Sequence, residues 1–201
     1  MLSNCRHNED IILWEYAKSA PKRIIDIGAS DGITNSNSRL FIENGWEAIL
    51  IEPQLGKYLN LRALYGTSEK YIKCLNYAIA DHNGETDFLY NPLVNDHSRI
   101  PNDNYYSKSF GDTPTELISV TCVTLEFIFM VYPQFKDLGV LCIDTEGYDE
   151  VILKHLMKTD VRPKVLICEH HTEEIRERQT AILTDYNPVK KISANVIYTL
   201  K

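Results

Sequence analysis

Apolar residues fall along the chain in two alternating rhythms. Short, nearly unbroken runs occur at 23–27 (RIIDI), 48–52 (AILIE), 70–76 (KYIKCLN), 139–144 (GVLCID) and 163–169 (PKVLICE). Runs of this length read as strands, and VLCI and VLIC as strands covered on both faces. Between them, apolar residues recur every three or four positions. This predicts helices over 10–20, closed by Pro21, over 38–44, stopped by Gly45, and from Pro53 to about 64. Further helices are predicted within 125–132, over 148–157 with Val151, Ile152, Leu153 and Leu156 inward, and over 173–184. In the first helix Ile11, Ile12, Trp14 and Tyr16 supply the bulk.

Three further features complete the order. Asp81-His82-Asn83-Gly84 is a turn signal and TDFLY after it alternates, which predicts a hairpin there. LISVTCVT, 117–124, reads as another strand. PVKKI and NVIYTL form a closing antiparallel pair across Ser193-Ala194. Strands alternating with helices imply an α/β fold, with a mainly parallel sheet and helices on both faces. The segment 91–115 breaks the rhythm. It is polar, rich in Asn, Asp, Ser and Pro, and long enough to be expected as a lid or substrate loop, with Tyr105 and Tyr106 either stacking on a sugar or anchoring the loop.

The chain has 201 residues, 44% apolar and 24% charged, which fits one compact domain spanning 1–201. Its formal charge is −7, its basic residues are scattered, and the longest basic run is Lys190-Lys191. A nucleic-acid partner is therefore disfavoured. The cysteines Cys5, Cys74, Cys122, Cys142 and Cys168 form no CxxC pair and read as small buried hydrophobes of a reducing compartment. The first residues lack a signal-peptide core, and no apolar run is long enough to span a bilayer, so a cytoplasmic location is expected.

Chemistry gathers at strand ends. In IIDIGASDG, 24–32, an acid and two glycines follow the first strand. A phosphate-binding P-loop would need Gly-Lys-Ser/Thr, which is missing. A nicotinamide site would need GxGxxG, but Ser30 stands in place of the second glycine. Glu52-Pro53 ends the second strand, where an acid can accept both hydroxyls of a ribose. An acid-glycine turn after strand one and an acid after strand two suit S-adenosylmethionine, whose sulfonium favours carboxylates.

These residues place the chain beside a known family. IIDIGASDGITNSNSRLFIENGWEAILIEP, LNYAIADHNGE, VTCVTLEFI, VLCIDTEGYDEVILKHL and LICEHHTE together resemble the FkbM-type methyltransferases, from about Arg23 to Tyr198. The resemblance implies a Rossmann-like, doubly wound sheet of seven strands, mainly parallel with an antiparallel last strand. It also implies methyl transfer from S-adenosylmethionine to a hydroxyl of a sugar, a glycan or a small hydroxylated metabolite. By motif position Asp26, Gly28 and Gly32 would line the methionine part of the cofactor and Glu52 would hold the ribose. Asn76 and Ala78 would pass the adenine, and Asp144 would face the methionine amino group or sulfonium. Ser30 and Asp31 depart from the family's usual GAN-x-G. Asn37 is a cofactor contact or a helix cap, and Asn76 a cofactor contact or a turn residue.

An alcohol needs a base, or a metal that acidifies it. Two acidic clusters follow successive strands, Asp144-Thr145-Glu146 and Glu169-His170-His171. His170 or His171 is the candidate base, with Asp144 as a catalytic acid partner. Asp144, Glu146, Glu169 and His170 are candidate ligands for a divalent metal. The rival functions are a methyltransferase acting on RNA or another polymer, and a cofactor-fold protein that binds without catalysis.

Overall fold

The structure is a computed structural model that describes residues 3–66, 70–91, 98–101 and 116–201. Among these residues the chain forms a seven-stranded sheet and a three-stranded one. The large sheet holds β1 (Arg23–Ile27), β2 (Glu47–Ile51), β3 (Ile72–Leu75), β7 (Val140–Ile143), β8 (Val165–Glu169), β9 (Tyr186–Ile192) and β10 (Asn195–Leu200). Its order is β3-β2-β1-β7-β8-β10-β9. The first five strands run parallel, and β10 lies antiparallel between β8 and β9. The order turns back between β1 and β7, so a crevice opens beyond the carboxyl ends of these two strands.

Alternation along each strand divides the core between two faces. Ile25, Ile27, Ile49, Ile51, Leu141, Ile143, Leu166 and Cys168 pack under α4 (Leu125–Val131) and α5 (Asp149–Lys158). Ile24, Ala48, Leu50, Val140, Cys142, Val165 and Ile167 pack under α1 (Glu9–Ala17), α2 (Arg39–Glu43) and α3 (Leu55–Tyr65). α6 (Glu173–Ile182) lies against α5 and β9. The expected doubly wound arrangement is therefore present.

Three local expectations are corrected. In α1 the innermost residues are Leu13 and Ala17, while Tyr16 is exposed. Pro53 precedes α3, whose cap is Gln54, and does not stand in its first turn. The turn at 81–84 does not close a hairpin. β4 (Ala78–Ile79) and β5 (Gly84–Tyr90) each pair with β6 (Glu116–Val123), parallel and antiparallel respectively. β6 supplies eight residues of edge, against two in β4, so β5 gains a seven-residue ladder there. No disulfide joins the cysteines, four of which are buried. No described helix is long and apolar enough to cross a membrane. Most of the segment 91–115, with Tyr105 and Tyr106, lies outside the described residues.

Candidate active site

Strand register places the site. Ile27 pairs with Ile51 on one side and with Ile143 on the other, Ile51 pairs with Leu75, and Ile143 with Cys168. One residue further on, Asn76, Glu52, Gly28, Asp144 and Glu169 therefore form a row across five strand ends. Hydrogen bonds continue the ladders into this row: Gly28 N–H and Ala29 N–H donate to Ile51 O, Asp144 N–H to Ile27 O, and Glu52 N–H to Leu75 O.

A cleft of about 550 Å³ opens over the row, within the range of small-molecule sites. Asp26, Gly28, Ser30, Asp31, Asn37, Glu52, Ala78 and Asp144 all line it. Gly32, Asn76, His170, His171 and Glu169 do not. Each of the first two has a local task. Gly32, at φ 72°, lies so close to α3 that a Cβ would stand 2.6 Å from Leu61 Cδ2. Asn76 Nδ2 donates to the carbonyls of Glu52 and Pro53, both at 2.9 Å, and so ties down the end of β2.

The turn after β1 is built from left-handed residues: Gly28, Ser30 and Gly32 have φ of 85°, 52° and 72°. Ser30 is held there by its N–H, which donates to Glu52 Oε2 at 3.0 Å. Glu52 Oε1 accepts from Gln54 N–H at 2.9 Å, and the carboxylate is 4% exposed. Burial pushes its pKa up, against the pull of these N–H groups and of Lys57. Asp26 accepts a 2.5 Å bond from the Ser38 hydroxyl. Burial, with Asp144 and Glu52 nearby, raises its pKa to about 6 against that bond. Asp31 spends its carboxylate on the turn, accepting from Ile33 N–H, Thr34 N–H and the Thr34 hydroxyl. Asn37 does not cap α2; the Ser36 hydroxyl accepts from Arg39 N–H instead.

At the other end of the cleft stand Asp144, Thr145, Glu146 and Tyr148. Glu146 has φ 55°, a costly conformation for a long side chain, and Gly147 follows at 112°. Behind Glu146, His171 Nε2 lies 2.9 Å from Glu169 Oε2 and 4.0 Å from Glu146 Oε2. Burial, then Asp144, Glu146 and Asp149, push the Glu169 carboxyl far above its usual range. Asp149 is buried, and its Oδ2 accepts from the Thr145 hydroxyl and Gly147 N–H. His170 goes elsewhere. Its N–H donates to Ala194 O, it is 5% exposed, and its charged neighbours are Lys191, Glu173 and Arg176. The structure thus groups His171, and not His170, with the acidic residues.

A family model described as the methyltransferase FkbM domain matches residues 26–188. The chain belongs to the FkbM methyltransferase family. Among solved structures it resembles a methyltransferase FkbM from Methylobacillus flagellatus KT, at 13% identity and a TM-score of 0.54. That match covers 88% of this chain and 43% of the other, so the chain spans less than half of that relative. A methyltransferase from Geobacter sulfurreducens matches at 9% identity and a TM-score of 0.49, over 98% of this chain and 79% of the other. A search among curated proteins finds no match.

Several cleft residues of this FkbM domain escape sequence reasoning. Ser38, which bonds the cleft residue Asp26 without lining the cleft itself, left a trace as a hydroxyl at the start of a helix. Lys57 and Tyr148 read only as helix residues. Phe88, Ser98 and Ile100 reach the wall through the small sheet and the isolated Leu89–Arg99 bridge, which no local pattern announces.

Proposed function

We propose that this chain is an S-adenosylmethionine-dependent O-methyltransferase acting on a hydroxyl of a sugar or a small hydroxylated metabolite. The observation that carries the reading is the row Glu52, Gly28 and Asp144 at the switch point, lining one cleft with Asp26 between buried strands. The cleft fits the cofactor. Five carboxylates, Asp26, Asp31, Glu52, Asp144 and Glu146, line it against the single ammonium of Lys57, and suit a sulfonium and an ammonium better than phosphates. Glu52, fixed by two N–H donors, keeps acceptor capacity on both oxygens for the ribose hydroxyls.

Bound in this cleft, S-adenosylmethionine would supply an electrophilic methyl carbon with its sulfur as the leaving group, and the hydroxyl proton of the acceptor would pass to a residue of the protein. The protein's main task is to hold the acceptor oxygen in line, which lowers such barriers by up to about 7–11 kcal/mol. Asp144 and Glu146 form the rim on which the acceptor would rest. His171 joins that rim through Glu146 and Glu169.

Calorimetry with S-adenosylmethionine, its demethylated product and NAD tests the cofactor. Binding of the first two without NAD is expected, and NAD binding alone would overturn the reading. Labelled cofactor with free saccharides, hydroxylated metabolites and RNA tests the acceptor, with label expected on one of the first two groups and not on RNA.

A further inference from the structure

Glu146, Glu169 and His171 come from two different strand-to-helix connections, yet one ligand atom of each lies within 4.8 Å of the others. Ligands on one divalent ion sit about 2.0–2.2 Å from it, so neighbouring ligands are about 3 Å apart and opposed ones about 4.2 Å. The separations from His171 Nε2, 2.9 Å to Glu169 and 4.0 Å to Glu146, match these two cases. The close approach to Glu169 is an ion-pair contact off the line of a hydrogen bond, and Glu169 Oε2 finds no hydrogen-bond partner among the described residues.

A second observation is independent of that triad. Asp149 is 3% exposed, and its Oδ1 has no hydrogen-bond partner among the described residues. Asp149 and Glu169 border a common cavity of about 10 Å³, close to the size of one water. Buried Asp149 and half-buried Glu169 thus share one small polar space, each with an oxygen that has no hydrogen-bond partner among the described residues. Such groups are costly unless something compensates them. His171 is the basic residue of the triad, and Arg99 is the cation whose charge interacts with Glu146.

We propose that Glu146, Glu169 and His171 form a divalent-cation site behind the acceptor rim. The donor set of one imidazole and two carboxylates suits Mn²⁺ or another first-row ion better than the all-oxygen shell of Mg²⁺. Glu146 faces the cleft, so the ion is placed to draw in and acidify an acceptor hydroxyl. That last role rests on the proposed methyl transfer; the binding of the ion does not. The left-handed backbone at Glu146 is the local strain that brings its carboxylate into reach.

Electron paramagnetic resonance of the chelator-treated full chain titrated with Mn²⁺ tests the site. One saturable Mn²⁺ per chain is expected, with hyperfine coupling to a single imidazole nitrogen in the unaltered protein. Glu169→Gln and His171→Gln should each weaken binding by about tenfold or more, and His171→Gln should abolish the nitrogen coupling. Absence of saturable binding, absence of nitrogen coupling, or affinity unchanged in both folded variants would overturn the proposal. In that case Glu169 holds a proton in place of a metal. S-adenosylmethionine binding, measured separately after chelation, tells the two readings apart. Cofactor binding without Mn²⁺ removes only the ion site, and Mn²⁺ binding without cofactor removes only the methyl-transfer reading.

Discussion

A Cβ on Gly28 would stand 1.8 Å from the carbonyl oxygen of Asp144. The turn after β1 and the first residue after β7 are thus in backbone contact, across the point where strand order reverses. The glycine is needed first by the protein, before any ligand. Gly28→Ala must displace β7 or β1 and adopt φ 85° as well. A loss of about 3 kcal/mol or more is expected, together with loss of cofactor binding. Gly45→Ala is the comparison: it shares a positive φ of 78° but meets nothing within 4 Å. It should cost only about 1–2 kcal/mol. Urea unfolding of the two variants checks the contrast, and equal losses would remove the Asp144 contact as the cause.

Glu52 anchors the turn after β1 and, in the proposed function, also holds the ribose; a substitution should separate the two. Glu52→Gln keeps the size but cannot accept from both Ser30 N–H and Gln54 N–H. The left-handed Ser30 loses its anchor, so stability should fall by about 1–3 kcal/mol. Loss of charged hydrogen bonds to the ribose costs about 1.5–3 kcal/mol, which is roughly tenfold to over a hundredfold in affinity. Calorimetry at a temperature where the variant is folded measures the second effect. A stability loss with unchanged S-adenosylmethionine affinity would leave Glu52 as a turn residue only.

The sequence made the large sheet and its row of strand-end residues readable for a common reason. Buried strands carry unbroken apolar runs, and Glu52, Asp144 and Glu169 each follow such a run, so they mark the strand ends. What escaped depends on pairing at a distance. β5 looks like half of a local hairpin, but its partner β6 begins at Glu116. Phe88 and Ile100 enter the cleft wall only because of that pairing. The helix faces misled where bulk was taken for burial: Tyr16 is exposed while the smaller Ala17 is fully buried. In Glu169-His170-His171 the spacing alone favours neither histidine. The choice is made by the Ala194 carbonyl, which holds His170 N–H beside the β9–β10 turn.

Cofactor affinity should depend on pH through Asp26. Burial raises its pKa to about 6, so below that value the free protein carries a neutral carboxyl there. A bound cation favours the ionised form, so the complex holds Asp26 at a lower pKa than the free protein. Binding then releases a proton below about pH 6, and affinity rises with pH until Asp26 is ionised in the free protein. The slope approaches about tenfold per pH unit below the pKa. Asp26→Asn should flatten the profile. The demethylated product, without the sulfonium charge, should show a shallower dependence than S-adenosylmethionine. Calorimetric titrations across this range decide it, and an identical slope in Asp26→Asn would assign the proton to another group.

The two adjacent histidines should separate in opposite directions. His171 contacts Glu169 and Glu146 at the rim, so His171→Ala should lower methyl transfer by about tenfold or more while leaving S-adenosylmethionine affinity unchanged. His170 is buried with neither ring nitrogen hydrogen-bonded among the described residues. Burial, with Lys191 and Arg176 nearby, lowers its pKa from 6.5. The unfolded chain therefore takes up this proton more readily than the folded one. The stability tied to neutral His170 is fully present above about pH 6.5 and is lost as pH falls below it. His170→Phe removes two unpartnered polar atoms and keeps an aromatic ring of similar size, so at neutral pH it should be close to neutral in stability. Its melting temperature should then gain on the parent as the solution is acidified. Paired thermal melts and single-turnover assays check both halves. A large fall in turnover for His170→Phe, with His171→Ala active, would reverse the assignment. Equal acid sensitivity of the parent and His170→Phe would show that His170 is not the group being protonated on unfolding.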